Sequence, residues 1–511
     1  MTRGFKHGVA VAAAAAMIAG AIWMTSVDRI QASHFEGVMG TSLDIKISAR
    51  SEAAGHEAEQ AILQEIARES KILSGYDPQS EFSAWMRSSN TATHVSPELA
   101  EVLAAFDDWR MRTSGALNPG VEVLSRAWNR AAHDDRVPTR AELRVAVADV
   151  GQRHWTVDRG ASIATHTSEV PLVLNSFTKS YIIDRAARRA LSVPGVRGVM
   201  VNSGGDVVIR GAWAQTVGIA DPIANADNAP SLTTLSIRDA VVATSGGGKR
   251  GFDIAGHHYS HVLDPRTGEA TGHVLSATVV SSKAIDAGAL ATAFCVLTPV
   301  ESAALARSVP GIEYSLVLAG GQRLESPNWH TLEVQPRSRR SMPSAVPTLY
   351  AAEQAAWNPG WQLTISLELP RMMGMAKRPY VAVWIEDKDR FPVRTVALWY
   401  DGKRRFLPEL RAWNRSDRIR GMAEGTQIVD AVTSPTRQAG KYTLQWDGKD
   451  NAGKPVTAGT YTVCIEVSRE HGSYQIVRQE MEFSGTQKHI AVPGGSELSG
   501  ANLDYQPASG R

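Results

Sequence analysis

Leu174-Asn175-Ser176-Phe177-Thr178-Lys179-Ser180-Tyr181-Ile182-Ile183-Asp184 decides how this chain is read. A polar turn precedes Lys179 and an apolar run follows it. Taken alone, Lys179 is either a surface cation on a turn or a group placed to steady a phosphate or ribose. Asp184 reads as structural, pairing with Arg185 or capping a helix. The stretch gains weight from its company. Gly204-Gly205-Asp206 and Val217-Gly218-Ile219-Ala220-Asp221-Pro222 follow it, then Thr244-Ser245-Gly246. Tyr259-Ser260-His261-Val262-Leu263-Asp264-Pro265-Arg266-Thr267-Gly268 and Ala289-Leu290-Ala291-Thr292-Ala293 complete the series. Neither Gly204-Gly205 nor Gly246-Gly247-Gly248 precedes a Lys-Ser/Thr pair or fits the dinucleotide fingerprint, so P-loop and Rossmann readings fail on spacing. Glycine there more simply permits positive φ or a close approach of backbone to ligand.

Upstream, Gly40-Thr41-Ser42-Leu43-Asp44-Ile45-Lys46-Ile47 alternates apolar and polar residues, as a half-buried strand should. Ala58, Ile62 and Ile66 recur at helical spacing, and Leu99, Val102, Leu103 and Phe106 do so after Ser96-Pro97, so both runs predict helices. Short apolar runs at 198–201 and 276–280 read as strands between helices, which makes the first half α+β or α/β. Around Pro336 to Pro347 the composition turns to Arg, Ser and Pro, that of an exposed linker. Beyond it, runs at 362–369, 380–386, 395–400, 442–446, 460–467 and 475–483 are β-rich, with little helical periodicity. They predict an all-β, immunoglobulin-like sandwich. In the loop Asp447 to Pro455, turn chemistry explains Asp, Asn and Gly better than calcium does. From Gly494 onward the chain is polar and Gly/Ser-rich and reads as disordered.

At 511 residues there is chain for two or more cores, since single cores rarely grow past about 250 to 300 residues. A net charge of +2 does not point to nucleic acid or a strongly acidic partner. Cys295 and Cys464 fall in different expected domains, which argues against a disulfide framework and a thiolate metal site. At the start, Arg3 and Lys6 precede an apolar, alanine-rich run from Gly8 to Met24 that Ser26 to Arg29 ends. That order is an export signal, either cleaved or kept as an inner-membrane anchor, and it predicts a periplasmic protein. The expected boundaries are 1–32 for the signal or anchor, 33–335 for the first domain and 336–347 for the linker. The sandwich is expected at 348–490 and the tail at 491–511.

The motifs around Lys179, in their order and spacing, resemble the ApbE family of FAD:protein FMN transferases over roughly residues 35–335. The second half is similar to an uncharacterised β-domain fused behind such transferases. The resemblance implies transfer of FMN from FAD to a Ser or Thr hydroxyl of an extracytoplasmic redox protein, with AMP leaving and magnesium as cofactor. Such a step is phosphoryl transfer, in which positioning and electrostatics do most of the catalysis. Carried over residue by residue, the resemblance implies FAD contacts at Met39, Tyr76, Ala116, Leu117, Asn118, Lys179 and Val262. It implies a histidine, His261, beside the flavin phosphates, where a neutral imidazole takes the proton of an incoming hydroxyl. For the metal it implies the carbonyls of Ser176 and Ala291, the hydroxyl of Thr292, and an aspartate four residues before Thr292.

That aspartate position is Gly288. Asp286 is the nearest substitute, but it lies about 200° away around an ideal helix, so it serves only if the helix starts late. Val173-Leu174-Asn175-Ser176 stands where the family has Asp-Leu-Gly-Gly, and Ala116-Leu117-Asn118-Pro119 where it has Ala-Phe-Asp-Pro. Ser180 replaces a glycine. With three acids gone neutral, two other readings stay open: a flavin-binding or carrier protein impaired in transfer, and a structural protein that docks a partner beside a vestigial site. His257, His258 and His261 do not make a transition-metal cluster, because strand neighbours point to opposite faces.

Overall fold

The computed structural model describes residues 28–224, 226, 228–247, 251–334, 357–370, 378–400, 404–424, 433–434, 436–469 and 473–508. Two compact units emerge. Met39–Val217 with Ser236–Leu332 form the body of the first, and Ser33–Val38, Gly218–Leu235 and Glu333–Arg511 form the second. The expectation of one uninterrupted first domain over 33–335 therefore differs from the structure at 33–38 and 218–235. Asn228 shows why the excursion belongs to the second unit: its amide donates to Gln445 O at 2.9 Å and accepts from Gln445 N at 2.9 Å. The expected linker and most of the amino-terminal signal lie outside the described residues, while Arg29 already opens a strand. Among the described residues no helix is long and apolar enough to cross a membrane.

In the first unit, strands Thr41–Ala49, Val196–Ser203, Asp206–Gly211, Val241–Gly246, Val274–Ser281, Ile312–Leu318 and Arg323–Glu325 pair in that spatial order. Every pairing is antiparallel. The alternation read at 43–47 is real, with Leu43, Ile45 and Ile47 buried while Lys46 faces water. Helices Thr178–Leu191 and Ala284–Val296 lie side by side against the sheet, and Glu52–Leu73 packs on the first of them. Side-chain caps fix several starts: Ser51 accepts from Ala54 N, Ser96 from Leu99 N, and Thr298 forms a full capping box with Glu301. Asp184 is structural, as read, but its partners are Arg210 at 2.6 Å and Arg188 at 3.0 Å. Arg185 instead joins Glu69 and Glu98.

The second unit is a β-sandwich. One sheet runs Gly440–Trp446, Trp361–Leu369, Gly500–Pro507, Lys488–Pro493; the other runs Thr433–Ser434, Pro392–Trp399, Tyr380–Glu386, Gly459–Ser468, Tyr474–Phe483. Leu363, Ile365 and Leu367 of the first meet Val381, Val383 and Ile385 of the second in one core, together with Trp357, Trp446 and Phe483. The opposite face of Tyr380–Glu386 is buried too, with Ala382 and Trp384 against Leu410 and Trp413. Hence the near-continuous apolar run there. The helix Arg411–Glu424 adds one α element to this mostly β unit. Its charge-dense sequence hides the period, and its first turn is held by Glu466, which accepts from Ala412 N and Trp413 N at 2.9 and 2.8 Å. The disordered tail is corrected, since Gly500–Pro507 pairs with strands on both sides. Ala501, Leu503 and Tyr505 point into the core between polar neighbours, a period-two pattern that the surrounding Gly and Ser residues masked. Asp450 accepts from Ala452 N and Lys454 N, so its carboxylate closes the turn of the 447–455 loop.

Candidate active site

A cavity of about 730 Å³ opens in the first unit, walled by five segments far apart in sequence. They are the loop and short helix around 75–87, the turn and helix start at 116–126, the stretch 171–176, the strand exit 261–265, and the helix face bearing Thr292 and Val296. The first wall begins where Glu52–Leu73 ends: Ser74 Oγ accepts from Tyr76 N and Asp77 N, and Ser80 caps Glu81–Met86. This throws Tyr76 outward at 83% exposure, with its hydroxyl accepting from Asn175 Nδ2 at 3.0 Å. A ring anchored at its tip and open on its face suits a planar aromatic ligand.

The second wall rests on Asn118. Its Oδ1 accepts from Gly120 N at 2.9 Å and its Nδ2 donates to Val150 O at 3.0 Å, both buried. An aspartate lacks that second hydrogen, so the neutral residue has a structural reason here. Leu117 N donates to Thr113 Oγ1, and Val173 N to Pro119 O, which ties the second wall to the third. The fourth wall is held by the turn after it. Asp264 O accepts from Gly268 N at 2.7 Å, Gly268 sits at φ 78°, and Arg266 bridges Asp264 and Glu301. Those two side chains, prominent in the motif, therefore fix the strand exit rather than face the cavity. His261 and Val262 are delivered to the cavity by it, and His261 is exposed.

Thr292 Oγ1 donates to Ser176 O at 3.2 Å, so the turn before Lys179 and the helix bearing Thr292 do meet. Gly288, one turn earlier, makes the meeting close: a Cβ there would lie 2.8 Å from Phe177 Cα, 2.9 Å from Phe177 Cβ and 3.0 Å from Ser180 Oγ. Helix Thr178–Leu191 starts from this contact without a side-chain cap, and the buried Thr178 Oγ1 has no protein hydrogen-bond partner. Uncapped first-turn amides favour an anion in general, but of this helix start and the turn before it only Asn175 and Ser176 are among the cavity's lining.

Of the residues singled out in the sequence, Tyr76, Ala116, Leu117, Asn118, Ser176, His261, Val262 and Thr292 line the cavity. Met39, Lys179, Asp286 and Ala291 are not among its lining. Met39 sits in a left-handed turn at φ 49°. Lys179 lies beside the Gly204-Gly205 turn, its Nζ 3.3 Å from where a Gly204 Cβ would stand. There it faces Asp206, whose carboxyl burial pushes up to about 6, against the opposing pull of the Ser180 hydroxyl and Lys179. Ala291 is fully buried. The helix begins at Ala284, which keeps positions 286 and 288 on different faces, so Asp286 does not stand where Gly288 does. Burial raises the Asp286 carboxyl while Lys283 and Arg112 pull it down.

Magnesium, which the family implies, does not fit these donors as a resident ion. Ser176 O and Thr292 Oγ1 are neutral, and Gly288 leaves no room for a side chain that would bring a charge beside them. Glu122 is the one acid among the described lining residues, and it pairs with Arg126 at 3.2 Å. Among the described residues no three His, Cys, Asp or Glu side chains are grouped as metal ligands would be. Magnesium ordinarily takes one or two carboxylates besides substrate phosphates. Sequence reasoning missed Arg87, Arg126 and Glu122, which carry no motif and reach the cavity only through the packing of their helices.

A family model described as the ApbE family matches residues 39–316, and one described as a predicted periplasmic protein (DUF2271) matches residues 362–500. The chain is 29% identical over 302 residues to the FAD:protein FMN transferase of Treponema pallidum, covering 55% of this chain and 83% of that one. To the enzyme of that name from Vibrio cholerae it is 28% identical over 287 residues, covering 54% and 84%. The crystal structure of the ApbE protein from Thermotoga maritima superposes with a TM-score of 0.54 at 26% identity, covering 60% of this chain and all of that one. The Pseudomonas stutzeri flavinyl transferase ApbE shares the fold at a TM-score of 0.50 and 22% identity, covering 60% and 98%. With its match spanning just over half of 511 residues and the fold to go with it, this chain belongs to the ApbE family.

Proposed function

We propose that the first unit transfers the FMN part of FAD to a serine or threonine hydroxyl of an acceptor protein, releasing AMP. The observation that carries this reading is the convergence of Tyr76, Asn118, Ser176, His261 and Thr292 on one cavity, of a volume ordinary for cofactor sites. Tyr76 offers its face to the isoalloxazine, and the turn at Asn175 and Ser176 borders the place of the diphosphate. The acceptor oxygen attacks the phosphorus on the riboflavin side. Its bond forms as the bridging P–O bond breaks, the electron pair leaves with AMP, and the hydroxyl proton passes to the imidazole of His261. Arg87 and Arg126 give the lining positive charge against the single Glu122. No magnesium-dependent step belongs to this reading, because Ser176 and Thr292 present only neutral oxygens.

The match of the second unit to a predicted periplasmic family, with the basic and apolar amino terminus, supports an acceptor outside the cytoplasm. The same neutral oxygens favour a second reading, a flavin carrier that binds FAD without transferring it. Incubating the full chain with FAD, magnesium and a Ser/Thr acceptor peptide separates the two by intact mass. A gain of one FMN phosphoryl group on the peptide is the expected result. Bound flavin without that gain supports the carrier, and absence of flavin binding removes both.

A further inference from the structure

Two departures from the family pattern, Gly288 and Ser180, are neighbours in space. Ser180 Oγ stands 3.0 Å from the point a side chain at 288 would leave the helix, and it donates to Asp206 at 2.9 Å. The room an acid at 288 would need is thus filled by Phe177 and by a hydroxyl already committed elsewhere. The two family oxygens that remain, Ser176 O and Thr292 Oγ1, are bonded to each other and carry no charge. Both oxygens keep lone pairs beyond that bond, but they are neutral, and among the described lining residues the one acid, Glu122, is paired with Arg126, so little protein charge offsets dehydrating a small divalent ion.

We propose that the described residues of this cavity form no resident cation site and that it takes a divalent ion only together with a diphosphate nucleotide, whose own oxygens supply the negative charge. The inference rests on the flavin-nucleotide reading of the cavity. It makes nucleotide binding the primary event: FAD enters with or without the ion, and the ion is retained only while the diphosphate is present. Thr292 then acts as a positioning residue for the turn at Ser176, not as an anchor for metal in the empty protein.

Water-proton relaxation with Mn²⁺ as the probe tests this on the full-length chain, with flavin fluorescence anisotropy reporting FAD binding in the same samples. Without nucleotide, the protein should give no enhancement until Mn²⁺ reaches roughly 1 mM, as for a site built of neutral oxygens. With FAD, enhancement should exceed that of FAD and Mn²⁺ without protein, and EDTA should change the FAD dissociation constant by no more than about threefold, far less than losing a metal ligand normally does. Micromolar Mn²⁺ binding by the nucleotide-free chain, abolished in Thr292→Val, would overturn the proposal. So would FAD binding that disappears in EDTA, or an FAD complex that retains no Mn²⁺. If anisotropy shows no FAD binding at all, the flavin reading itself has failed, which these metal outcomes would not mimic.

Discussion

Replacing Gly288 by alanine tests the packing on which the reading of the site depends. In an ordinary helix interior that change stabilises by about 1 kcal/mol, because alanine loses less backbone entropy. Here the added methyl lands 2.8 Å from Phe177 Cα and 2.9 Å from Phe177 Cβ, inside van der Waals contact on both counts. Phe177 has little freedom to give way. It is fully buried, its ring stacks on Phe106 at 4.2 Å, and its backbone carries the start of Thr178–Leu191. Overpacking of this sort costs about 1–3 kcal/mol, and contact with backbone puts the site at the upper end. The net expectation is a loss of about 2 kcal/mol, or about 4–8 °C in Tm for a unit of this size. Differential scanning calorimetry of the full chain measures it, the relevant transition being the one that FAD shifts upward. The displaced turn carries Asn175 and Ser176, so FAD affinity should fall together with Tm. An alanine variant as stable as the parent, or more so, would show that helix and turn do not approach as described.

Three other outcomes follow from the same geometry. His261→Ala should lower FMN transfer by about 10²- to 10⁴-fold, the usual range for a lost general base, while anisotropy still reports bound FAD. Asn118→Asp should destabilise the first unit by about 1–3 kcal/mol, because Val150 O loses its donor and meets a carboxylate instead. Asp206 sets a pH dependence whose sign is unusual for an acid. Its carboxyl at about 6 lies above the unfolded value, so the native state holds the proton more tightly and stability declines as pH rises between about 4 and 6, by up to about 2–3 kcal/mol. Urea midpoints for the FAD-shifted transition should show that decline in the parent and a flatter profile in Asp206→Asn; parallel profiles would refute the assignment.

The parts of the fold legible in the sequence were those with short-range causes. Alternation at 43–47 gives a strand, and spacing at 58, 62 and 66 gives a helix, whatever packs on them. Arg411–Glu424 was not legible, since its first turn is held by Glu466, more than fifty residues away. Gly500–Pro507 was legible in principle through Ala501, Leu503 and Tyr505, but composition outweighed period in a segment rich in glycine and serine. The site shows the same division. The motif segment 261–265, held by local turns, lines the cavity. Lys179 is not among that lining, because whether a side chain on a first helical turn faces the cavity or the Gly204 turn depends on helix rotation against the sheet.

The three neutral positions differ in what keeps them neutral, and that bears on whether acids there could be restored singly. Asn118 is held by a hydrogen bond that needs its amide hydrogen. Val173 lines the cavity, and nothing in the structure explains why it is not an acid. Gly288 is held by contact with backbone. A lone Gly288→Asp must therefore push Phe177 and Ser180 away before its carboxylate reaches any cation, and the displacement opposes whatever affinity the new charge supplies. Metal affinity and packing are coupled at this point, so the two changes are expected to be non-additive, as neighbours in contact generally are. Adding Ser180→Gly removes one of the three close atoms and leaves the two of Phe177. Tighter Mn²⁺ binding by Gly288→Asp alone, with Tm unchanged, would mean that the turn yields freely, and the argument from close packing would fail with it.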